Sequence, residues 1–151
     1  MILHIMSNGN STHNGSIINL INNRELGFNP EEHVFVMTKE SSYKDFSRYE
    51  NVELNESILA SDMKEFNRYA SRFDYIILHR NSFTCAQIYR IKRKYLKKII
   101  WCVWGESYLY PPTLKVKKLT RKIRRLARWC IIRIAGRRIR RFYAIGISFK
   151  Y

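Results

Sequence analysis

Short apolar runs alternate along this chain with stretches whose apolar residues recur every three or four positions. The runs are "ILHIM" at 2–6, "HVFVMT" at 33–38, "DYIILHR" at 74–80 and "KIIWCVWG" at 98–105. They are rich in β-branched and aromatic residues and predict buried strands. "FYAIGIS" at 142–148 predicts a last strand, and "NVEL" at 51–54 a short one inside an otherwise irregular 39–57. Helical spacing appears between them. Ile17, Ile18, Leu20 and Ile21 predict a helix over 16–23, ended by Gly27 and Pro30. Met63, Phe66, Tyr69 and Ala70 predict one over 61–72, capped by Ser61 or Asp62. Phe83, Ala86, Ile88, Ile91 and Tyr95 predict one over 82–97 beginning at Ser82. A last helix is expected over 114–136, with Val116, Leu119, Ile123, Leu126, Ala127, Cys130 and Ile134 on an apolar face packed on the sheet.

Strands alternating with helices define an α/β class: a single Rossmann-like lobe with a mainly parallel sheet. The length of 151 residues is that of one domain. In such sheets ligands bind at the carboxyl ends of the strands, near the point where the strand order reverses. The strand exits, at 7–15, 79–82 and 105–110, therefore hold the candidate chemistry.

The first exit, "SNGNSTHNG", is polar and carries His13 and Asn14. It lacks the G-x-G-x-x-G spacing of a dinucleotide fingerprint. It reads as a β–α turn with locally bonding Asn and Ser, or as a loop whose backbone meets a sugar or phosphate. At the second exit, "HRNS", His79 is either a proton acceptor or a histidine satisfying neighbouring backbone, and Arg80 has the forked donors that hold a phosphate. The third, "WGESYLY", follows a strand with Trp101 and Val103 on one face and Cys102 and Trp104 on the other. Trp101 is a core candidate. Gly105 fits a turn of unusual φ or a close ligand. Glu106 is either a salt-bridge partner or a base.

Charge changes the picture most. Residues 1–89 carry 8 Lys+Arg against 11 Asp+Glu, while residues 90–151 carry 20 Lys+Arg and one acid, Glu106. Such asymmetry points to an anionic partner. Arg121, Arg124, Arg125 and Arg128 lie on the side of the 114–136 helix away from its apolar positions, a surface for anionic headgroups. No apolar run is long enough to span a bilayer, and no signal peptide precedes the first strand. The cysteines Cys85, Cys102 and Cys130 are odd in number and have no metal-ligand spacing. A reducing compartment and three buried thiols are expected.

"WCVWGESYLY" also carries a resemblance. Trp101, Trp104, Gly105, Leu109 and Tyr110 are similar to the W-x-x-W-G-x-D-L-Y pattern of glycosyltransferase family 56, bacterial TDP-N-acetylfucosamine transferases of enterobacterial common antigen synthesis. "YIILHRNSFT" resembles the family's strand, turn and helix before that motif. "HIMSNGNSTHN" resembles its N-terminal strand and histidine–asparagine loop, and 115–141 its basic segment. The family's acid two residues after the glycine is Ser107 here, and Glu106 lies one position earlier.

The resemblance implies that residues 1–151 form the acceptor-side, N-terminal lobe of a GT-B glycosyltransferase whose C-terminal donor lobe is absent, through truncation, splitting or fragmentation. It implies metal-independent transfer of a deoxyamino sugar to a polyprenyl-diphosphate-linked glycan, with no cofactor. His13, His79 and Glu106 become candidates for proton transfer, and Asn14, Arg80, Trp104, Gly105 and Tyr110 for substrate contact. The partners would be that acceptor, an anionic membrane surface and, with a second lobe, a nucleotide-sugar donor. The place would be the cytoplasmic face of a bacterial inner membrane. A basic nucleic-acid-binding module and a non-catalytic remnant are the alternatives. For the first there is charge but no helix-turn-helix, zinc-finger or RNP signature.

Overall fold

The computed structural model describes residues 1–6, 12–79, 85–104, 123, 126, 127, 130 and 141–145. Its strands are β1 (Ile2–Ile5), β2 (His33–Met37), β3 (Val52–Leu54), β4 (Tyr75–Leu78), β5 (Ile99–Trp104) and β6 (Arg141–Ile145). They form one six-stranded sheet in the order β3-β2-β1-β4-β5-β6. Every pairing is parallel, as the alternating pattern predicts. The helices are α1 (Thr12–Asn22), α2 (Glu40–Lys44), α3 (Lys64–Ala70), α4 (Cys85–Arg90) and α5 (Arg93–Leu96).

Strand periodicity sorts the apolar side chains onto two faces. Met6, Phe35, Met37 and Val52 project to one side, where Ile18 and Ile21 of α1 complete a cluster. Leu3, Ile5, Val36, Ile76, Leu78, Ile99 and Trp101 project to the other. There they pack with Met63, Phe66, Tyr69 and Ala70 at α3, and with Ile88, Ile91, Tyr95 and Leu96 around α4 and α5. Trp101 is fully buried, its core role confirmed. The chain thus winds outward from β1 in one direction over one face, then from β4 in the other direction over the opposite face. Right-handed crossovers require that change of face when the direction of travel reverses. β1 and β4 are neighbours at the centre of the sheet, so the strand order reverses between them.

Several predicted boundaries moved. α1 begins at Thr12, ahead of the apolar spacing that starts at Ile17. The 39–57 stretch contains α2, a helix of five residues. The helix expected from Ser61 or Asp62 starts at Lys64 instead. Asp62 Oδ1 accepts from the Lys64 backbone N–H at 3.2 Å, and Met63 takes a left-handed φ of 56°. That conformation costs about 1 kcal/mol or more, and it places the Met63 side chain fully inside the core. Of the single helix expected over 82–97, residues 82–84 with the expected start at Ser82 lie outside the described residues, and the remainder forms two helices. Asn67 explains the break: its side-chain amide donates to the Arg90 carbonyl at 3.0 Å and accepts from Lys92 N–H at 2.9 Å. Those backbone groups are satisfied by α3 rather than by a continuing helix, and Lys92 is extended.

The basic segment departs most from expectation. Ile123, Leu126, Ala127 and Cys130 are helical, as predicted. They are not packed on the sheet. Ile123 is 59% and Leu126 50% exposed, and Ala127 and Cys130 are exposed as well. Cys102 is the buried thiol that was expected, with its pKa raised by burial, whereas the expectation fails for Cys130. The side chain of Cys85 lies outside the described residues. No described helix is long and apolar enough to cross a membrane.

Candidate functional site

The three histidines of the central strands meet. His4 lies mid-way along β1, His33 opens β2, and His79 follows β4. In register, His4 stands beside Phe35 and Ile77, and the backbone N–H of His79 donates to the Ile5 carbonyl at 2.8 Å. Parallel pairing puts His33, His4 and His79 on the same face of the sheet, stepping from the start of β2 to the carboxyl end of β4. His4 Nδ1 is 3.0 Å from His79 Nε2, and His4 Nε2 is 2.9 Å from His33 Nδ1. The His4 and His79 rings stack with centroids 5.3 Å apart and an 11° tilt, and Phe35 covers His4 at 4.5 Å.

Their electrostatics follow from this burial. His4 and His79 are 3% and 6% exposed. Burial, then repulsion from His79 and His33, pushes the His4 pKa down to about 2. Burial alone takes His79 down to about 4. His33, at the edge, is lowered by burial against the opposing pull of the Glu32 carboxylate. All three rings are therefore neutral near pH 7, since desolvation disfavours the imidazolium. A neutral imidazole has one N–H and one lone pair. His79 Nδ1 is buried and has no hydrogen-bond partner among the described residues. Orphaned buried polar atoms are rare and costly, and this one sits where β1 and β4 part to opposite faces, the crevice in which doubly wound sheets bind ligands. The backbone-satisfying role considered for His79 is thus replaced by a ring-to-ring contact.

The other candidates are distributed unevenly. His13 is exposed in the first turn of α1, beyond the carboxyl end of β1, while His79 is buried beyond that of β4. Asn14 is 2% exposed, turned into the protein. Trp104 ends β5, its backbone in register with Ile145; its side chain lies outside the described residues. Arg80, Gly105, Glu106 and Tyr110 lie outside the described residues, as do Arg121, Arg124, Arg125 and Arg128. His13 and His79 both follow the carboxyl ends of parallel strands and so lie toward the same rim of the sheet, the rim at which β5, the strand before Gly105, also ends. Among the described residues no group of His, Cys, Asp and Glu is arranged to hold a metal ion. The histidine ring nitrogens pair with one another through hydrogen bonds rather than converging on a common point.

Sequence reasoning missed His4 and His33. Each was read only as part of a strand. A signal was present: the chain has four histidines, and three lie in or directly after predicted central strands. Without strand order and register, nothing joined them.

Fold and site together define a doubly wound α/β protein with a neutral, histidine-lined switch point. Comparison of the chain with family models, with curated proteins and with solved structures found no match.

Proposed function

We propose that the chain is the acceptor-side lobe of a membrane-associated glycosyltransferase, acting on a polyprenyl-diphosphate-linked glycan. The observation that carries this reading is the neutral His79 at the switch point, with Nδ1 unengaged among the described residues. Transfer of a deoxyamino sugar breaks the bond between its anomeric carbon and the nucleotide diphosphate. It makes a bond from that carbon to the acceptor hydroxyl oxygen. The hydroxyl proton must go to a base, and a buried neutral imidazole can accept it. His13 and Glu106 remain candidates for the same role. Arg80 and the basic segment are suited to the diphosphates, because guanidinium forks pair with phosphate oxygens. The donor would sit on a second lobe.

The membrane part of the reading rests on the basic segment. Residues 115–141 hold 13 Lys or Arg and no acid. Ile123, Leu126, Ala127 and Cys130 follow at steps of three, one and three, so they share one side of a helix, and that side is exposed. An exposed apolar stripe within a cationic segment suits a helix lying in the headgroup region of an anionic bilayer.

Flotation tests both parts. Anionic vesicles doped with a polyprenyl-diphosphate-linked glycan should retain the protein more strongly than undoped vesicles, and both more strongly than neutral ones. Equal retention with and without the glycan overturns the acceptor reading. Retention on duplex DNA but not on vesicles at matched salt replaces the whole reading with a nucleic-acid-binding module.

A further inference from the structure

The geometry points to a proton relay, His79–His4–His33, that drains the switch-point base through the body of the sheet to a groove at the opposite end of the strands. Resting on the transferase reading for its use, the relay is a separate physical claim about three rings.

Each N···N contact can hold one proton. Three neutral imidazoles carry three ring protons, so two occupy the contacts and the third sits at one end of the row. Two ladders are possible. In one, His33 Nδ1 donates to His4 Nε2, His4 Nδ1 donates to His79 Nε2, and His79 Nδ1 holds the end proton. In the other, every donor and acceptor is exchanged: His79 Nδ1 is a bare lone pair, and the end proton is on His33 Nε2. Only the second ladder leaves His79 able to act as a base.

When His79 Nδ1 takes a proton, His79 Nε2 gives its own to His4 Nδ1. His4 Nε2 then gives its proton to His33 Nδ1, and His33 Nε2 releases one to water. The balance is one proton in and one out, with all three rings neutral in the first ladder. The second is restored when water protonates His33 Nε2, the same transfers run in reverse and His79 Nδ1 gives its proton to the departing product. The contacts of 3.0 and 2.9 Å are hydrogen-bonding distances.

The exit is available. His33 is half-buried and lines an open groove of about 530 Å³ with Arg24, Glu31, Arg48 and Glu50. Its charged surroundings include the Glu32 carboxylate, which favours a proton there, and the N-terminal amine of Met1, which opposes it. The inner end is His79 Nδ1, buried and without a hydrogen-bond partner among the described residues. A purely structural trio would bury one unpaired ring nitrogen without return, a costly arrangement. Depressed basicity along the row keeps the proton from resting at His4, which a relay requires.

The test is nitrogen NMR on the whole protein with labelled histidine. The expected result is scalar coupling across both N···N contacts, with the nitrogens of all three rings at shifts intermediate between N–H and bare nitrogen. That pattern reports exchange between the two ladders, in which water gives a proton to one end of the row and takes one from the other, local opening admitting water to His79 Nδ1. The variant His33→Gln keeps a hydrogen bond on His4 Nε2 but cannot pass a proton on. It should collapse His4 and His79 to one tautomer while the remaining spectrum stays folded. A single fixed tautomer in the unmodified protein overturns the relay, with no variant needed. So does an His33→Gln spectrum in which His4 and His79 still average. In a transfer assay with a donor lobe, His33→Gln should lower turnover tenfold or more with acceptor binding unchanged. Averaged rings in a protein that transfers nothing would leave the relay standing and remove the transferase reading.

Discussion

Acidification should destabilise this protein well above the pH at which its carboxylates titrate. The perturbation is a change from about pH 7.5 to about pH 5. Unfolded, His4 and His79 have ordinary pKa values of 6.5. Folded, they fall to about 2 and about 4. Between those limits the unfolded chain binds more protons than the folded one, so stability rises with pH and is lost as pH falls below the unfolded value. One pKa unit corresponds to about 1.36 kcal/mol. At about pH 5, some 1.5 units below the unfolded value, each histidine therefore costs about 2 kcal/mol, and the pair about 4 kcal/mol. His33, shifted in the same direction, adds to this. Against a typical total of about 5–15 kcal/mol, that is a large share. Glu65, hydrogen-bonded to Arg68, and Asp74, paired with the N-terminus, have lowered pKa values. Their contribution persists above the ordinary carboxylate pKa and is lost only at more acidic pH, so this window belongs to the histidines. Urea unfolding followed by tryptophan fluorescence at about pH 7.5, 6 and 5 measures the slope. A free energy that changes by less than about 1 kcal/mol across that range would refute the buried neutral histidines.

Other outcomes follow from single contacts. Trp101→Ala should cost about 3–5 kcal/mol in chemical denaturation, because a fully buried indole between β5 and the α3–α5 layer leaves a cavity. Asn67→Ala should cost about 1–3 kcal/mol and raise hydrogen exchange at Lys92, since it removes the acceptor of that N–H and donors to the Met63 and Arg90 carbonyls. Changing Arg121, Arg124, Arg125 and Arg128 together to Glu should release the protein from anionic vesicles at low salt without altering its circular dichroism. Retention by that variant would rule out electrostatic anchoring there. Ile123→Asp with Leu126→Asp should also weaken vesicle binding while leaving stability within about 0.5 kcal/mol, as both side chains are exposed.

The central strands were legible in the residues themselves. Runs such as "YIIL" and "IIWCVW" are near-continuously apolar, the pattern of parallel-sheet strands, and Ile76, Leu78, Ile99 and Trp101 are fully buried while Ile77 and Ile100 are half-buried. That pattern sets strand and class without knowledge of neighbours. Trp101 could be assigned to the core for the same reason, and His79 to a strand exit.

Tertiary contacts decided the rest. Asn67 divides the 82–97 stretch by taking over two backbone groups, an event between positions 25 and 23 residues apart. The exposure of Ile123 and Leu126 could not be read from their spacing, because a 3.6-residue period creates an apolar side but does not say what covers it. The histidine row is the clearest case. His33 and His79 lie 29 and 75 residues from His4 along the chain. Only the order β2-β1-β4 and its register set the three rings side by side. Each histidine taken alone is an ordinary titratable side chain. Burial in a shared row makes them neutral, and their mutual contacts leave His79 Nδ1 without a partner among the described residues.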